Sequence, residues 1–258
     1  MRVELFVTCV VDMFSPDVGS AAVKVLRAMD VDVGVPPGQT CCGQPAWNSG
    51  FHRDAARVAA ASLKALAAAL DADPTAVAVV PAGSCATMIR VFWPEMFELT
   101  HDHERAALAK RVGARTLEFS EFVDRYADRL PPNLDAKAAT VSAYHHSCHM
   151  LRELRVEHAP TTLLERTGQP VAEWSADQRC CGFGGLFSFK LPETSEAMAD
   201  DKLRSLPDGC TDIIGCDTSC LVHMQARAGH EGHPVTVRHL AEVLAAALPA
   251  SATAGEAR

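Results

Sequence analysis

The chain has 258 residues, 48% of them apolar and 22% charged, which suits one large soluble domain or two of about 125 residues, each with a core of its own. A net charge of −8 speaks against nucleic acid or an anionic membrane surface as partner, and no apolar run approaches the ~20 residues of a membrane span. Ten cysteines in a reducing compartment make a disulfide framework a poor reading and favour metal binding or redox chemistry.

In chain order, Val3 to Thr8 ("VELFVT") has the length and apolarity of a buried strand. Glu4 and Asp12 interrupt what would otherwise mimic a signal peptide, so a cytoplasmic protein is expected. Ser20 to Met29 has helical spacing and Val31 to Val35 alternates like a strand. "CCG" follows at Cys41 to Gly43. Asp54 to Leu70 is an Ala-rich helix with Val58, Ala59, Leu63, Leu66 and Leu70 near one face, and Ala76 to Val80 is the next buried strand. Val91 to Arg105 carries Phe92, Trp93, Met96 and Phe97 and is a candidate docking surface, although such spacings are commoner in cores. A linker is expected over Arg129 to Thr140, with its paired prolines.

After the linker the pattern starts again, with "ATVSAYH", "TTLLERTG", "VAEW", "ETSEAMADDKLRSL" and "TDIIG". Cys9 is separated from Cys41-Cys42-Gly43 by 31 residues, and Cys148 from Cys180-Cys181-Gly182 by the same 31. Gln39 and Gln178 stand two positions before each pair. "VVPAGSC" closing on Cys85 answers "IIGCDTSC" closing on Cys220, and the run from Thr116 answers the run from Thr236. Four landmarks in one order establish an internal duplication. The expected fold is α/β: two pseudo-repeated, Rossmann-like lobes with parallel sheets, residues 1–130 and 138–248, and a frayed tail at 249–258. Cys9, Cys85, Cys148 and Cys220 then fall just past strand C-termini, the edge where parallel sheets bind ligands and helix N-termini lower thiol pKa.

Adjacent cysteines are poor disulfide partners, because their Cα atoms lie about 3.8 Å apart where a bridge prefers roughly 5.5 Å. Each copy instead offers a quartet, Cys9, Cys41, Cys42 and Cys85, or Cys148, Cys180, Cys181 and Cys220. Zinc accepts four thiolates, but its usual signature spaces the paired cysteines two to four residues apart. Neighbouring sulfurs that diverge suit neighbouring metal atoms, so an iron–sulfur cluster in one or both copies is the preferred expectation and zinc the alternative. Gly43 and Gly182 would let backbone approach the cofactor and tolerate positive φ.

These residues resemble the cysteine-rich CCG-domain family, which includes the B subunit of heterodisulfide reductase, the iron–sulfur subunit of glycolate oxidase and the lactate utilisation protein A group. "LFVTCVVDMFSPDVG", "CCGQPAWNSG", "HHSCHMLREL" and "CCGFGGLFSFK" are most similar to the last, over nearly the whole chain. The resemblance implies a cytoplasmic component of an oxidoreductase complex oxidising L-lactate to pyruvate, rather than a complete enzyme. Its implied partners are a ferredoxin-like iron–sulfur subunit and a further lactate-utilisation protein. The broader family closes each motif with Cys-x-x-Cys. Here Ala82 stands in that place in the first copy, and the second has Cys216 at Cys-x-x-x-Cys spacing. Four-ligand [4Fe–4S] binding therefore fits better than five-cysteine ligation, with Cys216 a supplementary ligand or a bystander.

The copies differ chemically. Eight of the eleven histidines follow residue 144, and His145, His146 and His149 surround Cys148. His146 and His149 are the candidates for proton transfer at the second site. Arg179 and Lys190 are placed to offset the charge of a thiolate-bound cluster. "GFGG" lacks the dinucleotide spacing, and neither a P-loop nor a ferredoxin cysteine run is present.

Overall fold

The computed structural model describes residues 1–138, 140–232 and 235–253. In the first lobe β1 (Arg2–Leu5) leads through α1 (Cys9–Phe14) and α2 (Pro16–Ala28) to β2 (Asp32–Gly34). The short α3 (Gln44–Trp47) and long α4 (His52–Ala72) then precede β3 (Val77–Val80). Next, α5 (Gly83–Thr87) runs through a π-helical turn into α6 (Trp93–Leu99), followed by α7 (His103–Ala114), β4 (Thr116–Glu118) and α8 (Phe119–Arg125). The second lobe contains β5 (Ser142–His145), α9 (His158–Arg166), β6 (Val171–Ala172), α10 (Leu186–Lys190) and α11 (Pro192–Arg204). It ends with β7 (Asp212–Gly215), α12 (Thr218–His230), β8 (Thr236–His239), α13 (Leu240–Ala247) and the short α14 (Ala250–Thr253).

The two sheets are copies of one design. Their orders are β2-β1-β3-β4 and β6-β5-β7-β8, with every pairing parallel. Val3, Leu5 and Val79 point to one side of the first sheet, whereas Phe6, Ala78 and Val80 point to the other. Both faces are thus buried, which is why these strands read as near-continuous apolar runs. In the second sheet Tyr144 and Ile214 share a face, opposed by Ala143 and Ile213.

The inward faces of the two sheets meet in one common core. Leu26 of α2 and Phe122 of α8 belong to the same apolar cluster as Leu163 of α9 and Leu244 of α13, all essentially fully buried. At about 1.5–3 kcal/mol per buried side chain of this size, the shared layer joins the lobes strongly. The linker adds to it: Leu134 and Ala136 pack on this core, and Asp135 N and Ala136 N bond to the carbonyls of Ala247 and Thr167.

Some local expectations are revised. The second helix starts at Pro16, four residues early, because proline is preorganised for a first helical turn. Val58 is 42% exposed; the buried face of α4 runs instead through Ala55, Ala59, Leu63, Leu66 and Leu70. The aromatic insert is no docking surface: Trp93, Met96 and Phe97 are core, with Trp93 Nε1 donating to the Cys42 carbonyl at 2.8 Å. Of the expected tail and linker, residues 254–258 and Ala139 lie outside the described residues. No helix among the described residues is long and apolar enough to cross a membrane.

Candidate metal centre

Each quartet assembles at the C-terminal edge of its own sheet. Thr8 caps α1 through a 3.3 Å bond from Val11 N, which puts Cys9 at the first helical position. Cys85 lies in the opening turn of α5, and Cys220 in that of α12, which Asp217 caps. Gly43 and Gly182 turn the chain with φ of +84° and +91°, and a Cβ there would meet the carbonyl oxygens of Ala55 and Ser195 at 2.8 and 2.5 Å. Only glycine allows the Cys-Cys turn to sit this close to its supporting helix.

The sulfurs converge. Cys9 Sγ lies 3.4 Å from Cys41 Sγ, and Cys42 Sγ lies 3.2 Å from Cys85 Sγ. In the second lobe Cys148 pairs with Cys180, and Cys181 with Cys220, in the same way. All four sulfurs of each quartet line one small cavity, of about 50 Å³ in the first lobe and about 60 Å³ in the second. The Cys42 and Cys9 thiols, helped by the Gly43 amide at 3.4 Å, hold Cys41 well below the ordinary thiol range. Cys148, Cys181 and the Gly182 amide do the same for Cys180. Each quartet thus already favours one thiolate, the form that binds metal.

The two cavities stand back to back. Gln44, Ser84, Phe183, Gly185, Asp217 and Ser219 line both. Asp217 ties the wall together: Oδ1 accepts from Ser219 N at 3.2 Å in its own lobe, and Oδ2 from Ser84 N at 2.7 Å in the other. Gly83 N donates to the Cys216 carbonyl beside it (3.1 Å). The Asp-Thr-Ser helix-start signature at Asp217 was readable, but nothing in the sequence indicated that it bridges the lobes.

The other expected residues are distributed unevenly. His149 lines the second cavity; its Nε2 lies 3.3 Å from Gln44 Nε2, while Nδ1 is buried without a partner. His146 is elsewhere, packed edge-on against Tyr144 and 3.8 Å from Asp177, beside a separate cavity of about 560 Å³. Cys216 lies outside the quartet. It faces the common core and accepts from Tyr144 Oη at 3.3 Å, close to Ser120 and Glu118. Arg179 pairs with Asp201, and Lys190 stands over the Phe51 ring, so neither charge is directed at the sulfurs.

A different lysine takes that position. Lys202 is fully buried, and its Nζ donates to the carbonyls of Ala176, Asp177 (3.1 Å) and Arg179 (2.8 Å), the segment leading into Cys180. Burial lowers its pKa to about 8, while the charges of Cys181 and Cys220 favour its protonated form. His145 is the other unassigned group. Its imidazole is buried, and a ring nitrogen lies within 4.8 Å of both Cys181 Sγ and Cys220 Sγ. Burial pushes its pKa down to about 3.

The donor set fits a thiophilic metal or an iron–sulfur cluster. Four soft sulfurs converge in each lobe, a backbone N–H is directed at one of them, and a glycine clears the approach. Comparison with known proteins agrees. The family model described as CCG, cysteine-rich domain, matches twice, over residues 3–90 and 142–225. "Lactate utilization protein A" of Geobacillus kaustophilus (strain HTA426) is 40% identical over 247 residues, 95% of this chain and 98% of the relative. The protein of that name from Halalkalibacterium halodurans is 40% identical over 252 residues, 95% and 96% of the two chains. "Lactate utilization protein A 2" of Bacillus cereus (strain Q1) is 36% identical over 250 residues, 96% and 99%. Two matched repeats and relatives aligned along nearly their whole length place this chain in the CCG family of cysteine-rich domain proteins.

Proposed function

We propose that the protein is an iron–sulfur electron-transfer subunit of a cytoplasmic complex that oxidises L-lactate to pyruvate. Its partners in this reading are a ferredoxin-like iron–sulfur subunit and a further lactate-utilisation protein. The observation that carries it is the pair of four-thiol quartets set back to back, in a chain whose relatives bear the name lactate utilisation protein A. Cys9, Cys41, Cys42 and Cys85 hold one [4Fe–4S] cluster, and Cys148, Cys180, Cys181 and Cys220 the other. Such a cluster, when bound, supplies one-electron chemistry that no protein side chain in the wall offers.

The chain itself supplies the setting. Amide N–H groups of Gly43 and Gly182 hold thiolate charge, and Lys202 fixes the approach to Cys180 with a buried positive charge. The residues common to both cavity linings set the two sites side by side, an arrangement that favours passage of electrons between them. His149, which lines the second cavity with a ring nitrogen that has no partner, is better placed than His146 to hold a proton near the second centre. Protein purified without oxygen should be brown and contain iron and acid-labile sulfide. Colourless protein with stoichiometric zinc would instead make it a structural subunit. A deletion strain should lose growth on lactate; loss on glycolate alone would reassign the substrate.

A further inference from the structure

The strand registers relate the lobes residue by residue. Leu5 pairs with Val79, and His145 with Gly215; Val80 pairs with Glu118 as Gly215 pairs with His239. His145 therefore occupies the place that Phe6 takes in the first lobe, each three residues ahead of the lone cysteine. Phe6 suits its position: it is fully buried, with its ring edge-on to Trp93 at 6.5 Å. His145 is buried as deeply, yet neither ring nitrogen makes a hydrogen bond of normal geometry, although the carbonyl of Asp177 lies near the ring. The nearby carbonyl of Asp177 already accepts from His146 N at 3.0 Å and Lys202 Nζ at 3.1 Å, which fills both of its lone pairs. The polar atoms grouped with the ring are the sulfurs of Cys181 and Cys220.

An imidazole buried where a phenyl ring fits is costly unless something accepts its N–H. We propose that His145 donates its ring N–H to sulfur of the centre held by the second quartet, and so sets that centre at a higher reduction potential than the first. A hydrogen bond to a ligating or bridging sulfur stabilises the reduced, more negative state, and this is an established means of tuning potential. The first lobe offers only Phe6 at the matching place, so the duplication yields two unequal centres, and an electron entering through the first would move toward the second. The inference rests on the iron–sulfur reading above.

The test begins with iron and sulfide in the wild-type protein; their absence overturns the parent reading and this inference together. With clusters present, EPR-monitored redox titration gives both midpoints, and Cys181→Ser protein, lacking the second centre, identifies which is which. His145→Phe copies the first lobe. It should cut the reduced-to-oxidised ratio of the second centre at the wild-type midpoint about tenfold, a shift of about 59 mV for one electron, and leave the first unmoved. His145→Gln, which keeps an N–H, should recover much of that shift. An unchanged second midpoint in a fully loaded His145→Phe protein overturns this inference alone. Should that variant fail to load, wild-type protein with ¹⁵N-labelled histidine decides. Weak nitrogen coupling to the reduced second centre supports donation, whereas strong coupling (direct ligation) or none overturns it.

Discussion

Replacing Gly182 by alanine tests whether the Cys-Cys turn is held at a fixed height above its helix. The added Cβ would sit 2.5 Å from Ser195 O and 3.1 Å from Met198 Cβ, on a residue with φ of +91°. The left-handed conformation alone costs an alanine about 1–2 kcal/mol. Relieving the contact requires the turn to lift by nearly 1 Å, and such overpacking adds about 1–3 kcal/mol. Gly168 provides the control, since its φ is +70° but an added Cβ meets nothing within 4 Å, so only the backbone part applies. Urea denaturation should show Gly182→Ala losing about 2–5 kcal/mol and Gly168→Ala about 1–2 kcal/mol. Because Cys181 moves with the turn, bound metal in the second lobe should fall in the first variant and hold in the second. Equal losses for the two, with full metal in both, would refute the claim that close backbone approach positions the sulfurs.

Serine at Cys42 or at Cys181 should remove the metal of its own lobe, measured by elemental analysis, while the other lobe keeps most of its content; retention in the mutated lobe would exclude that sulfur as a ligand. Lys202→Met leaves the Arg179 carbonyl without its 2.8 Å donor and should destabilise the protein by about 1–3 kcal/mol in urea. A change within 0.5 kcal/mol, the range of ordinary surface substitutions, would assign Lys202 no such role. Glu118 is fully buried, and burial raises its carboxyl pKa to about 8. The folded state therefore binds this proton more tightly than the unfolded state, and the stability it lends below pH ~4.5 is lost as pH rises toward 8, by up to about 1.4 kcal/mol per pH unit. Glu118→Gln should accordingly gain on the wild type between pH 5 and 8, and parallel pH–stability curves would contradict it.

The cysteine register was legible because duplication wrote it twice: 31 intervening residues on each side locate two quartets that chance does not produce. The alternating strands and the parallel sheets followed from runs such as Val77–Val80, apolar on both faces. Lys202 was hidden inside "MADDKLRSL", where charged neighbours mark a solvated helix, and only packing shows it turned inward beneath the preceding loop. His145 stood in a cluster of three histidines that the sequence cannot rank. The strand register distinguishes them by giving it the position equivalent to Phe6 in the other lobe. Trp93 is core, as its spacing favoured, but the sequence did not show that it roofs the first turn through the Cys42 carbonyl.

The apolar stratum trapped between the two sheets has a mechanical consequence. Leu26, Phe122, Leu163 and Leu244 belong to neither half alone, so pulling either half open wets the inner face of its neighbour. Melting should therefore be a single cooperative event for the whole polypeptide, and loosening at one sulfur nest should be transmitted to the other through shared solvation.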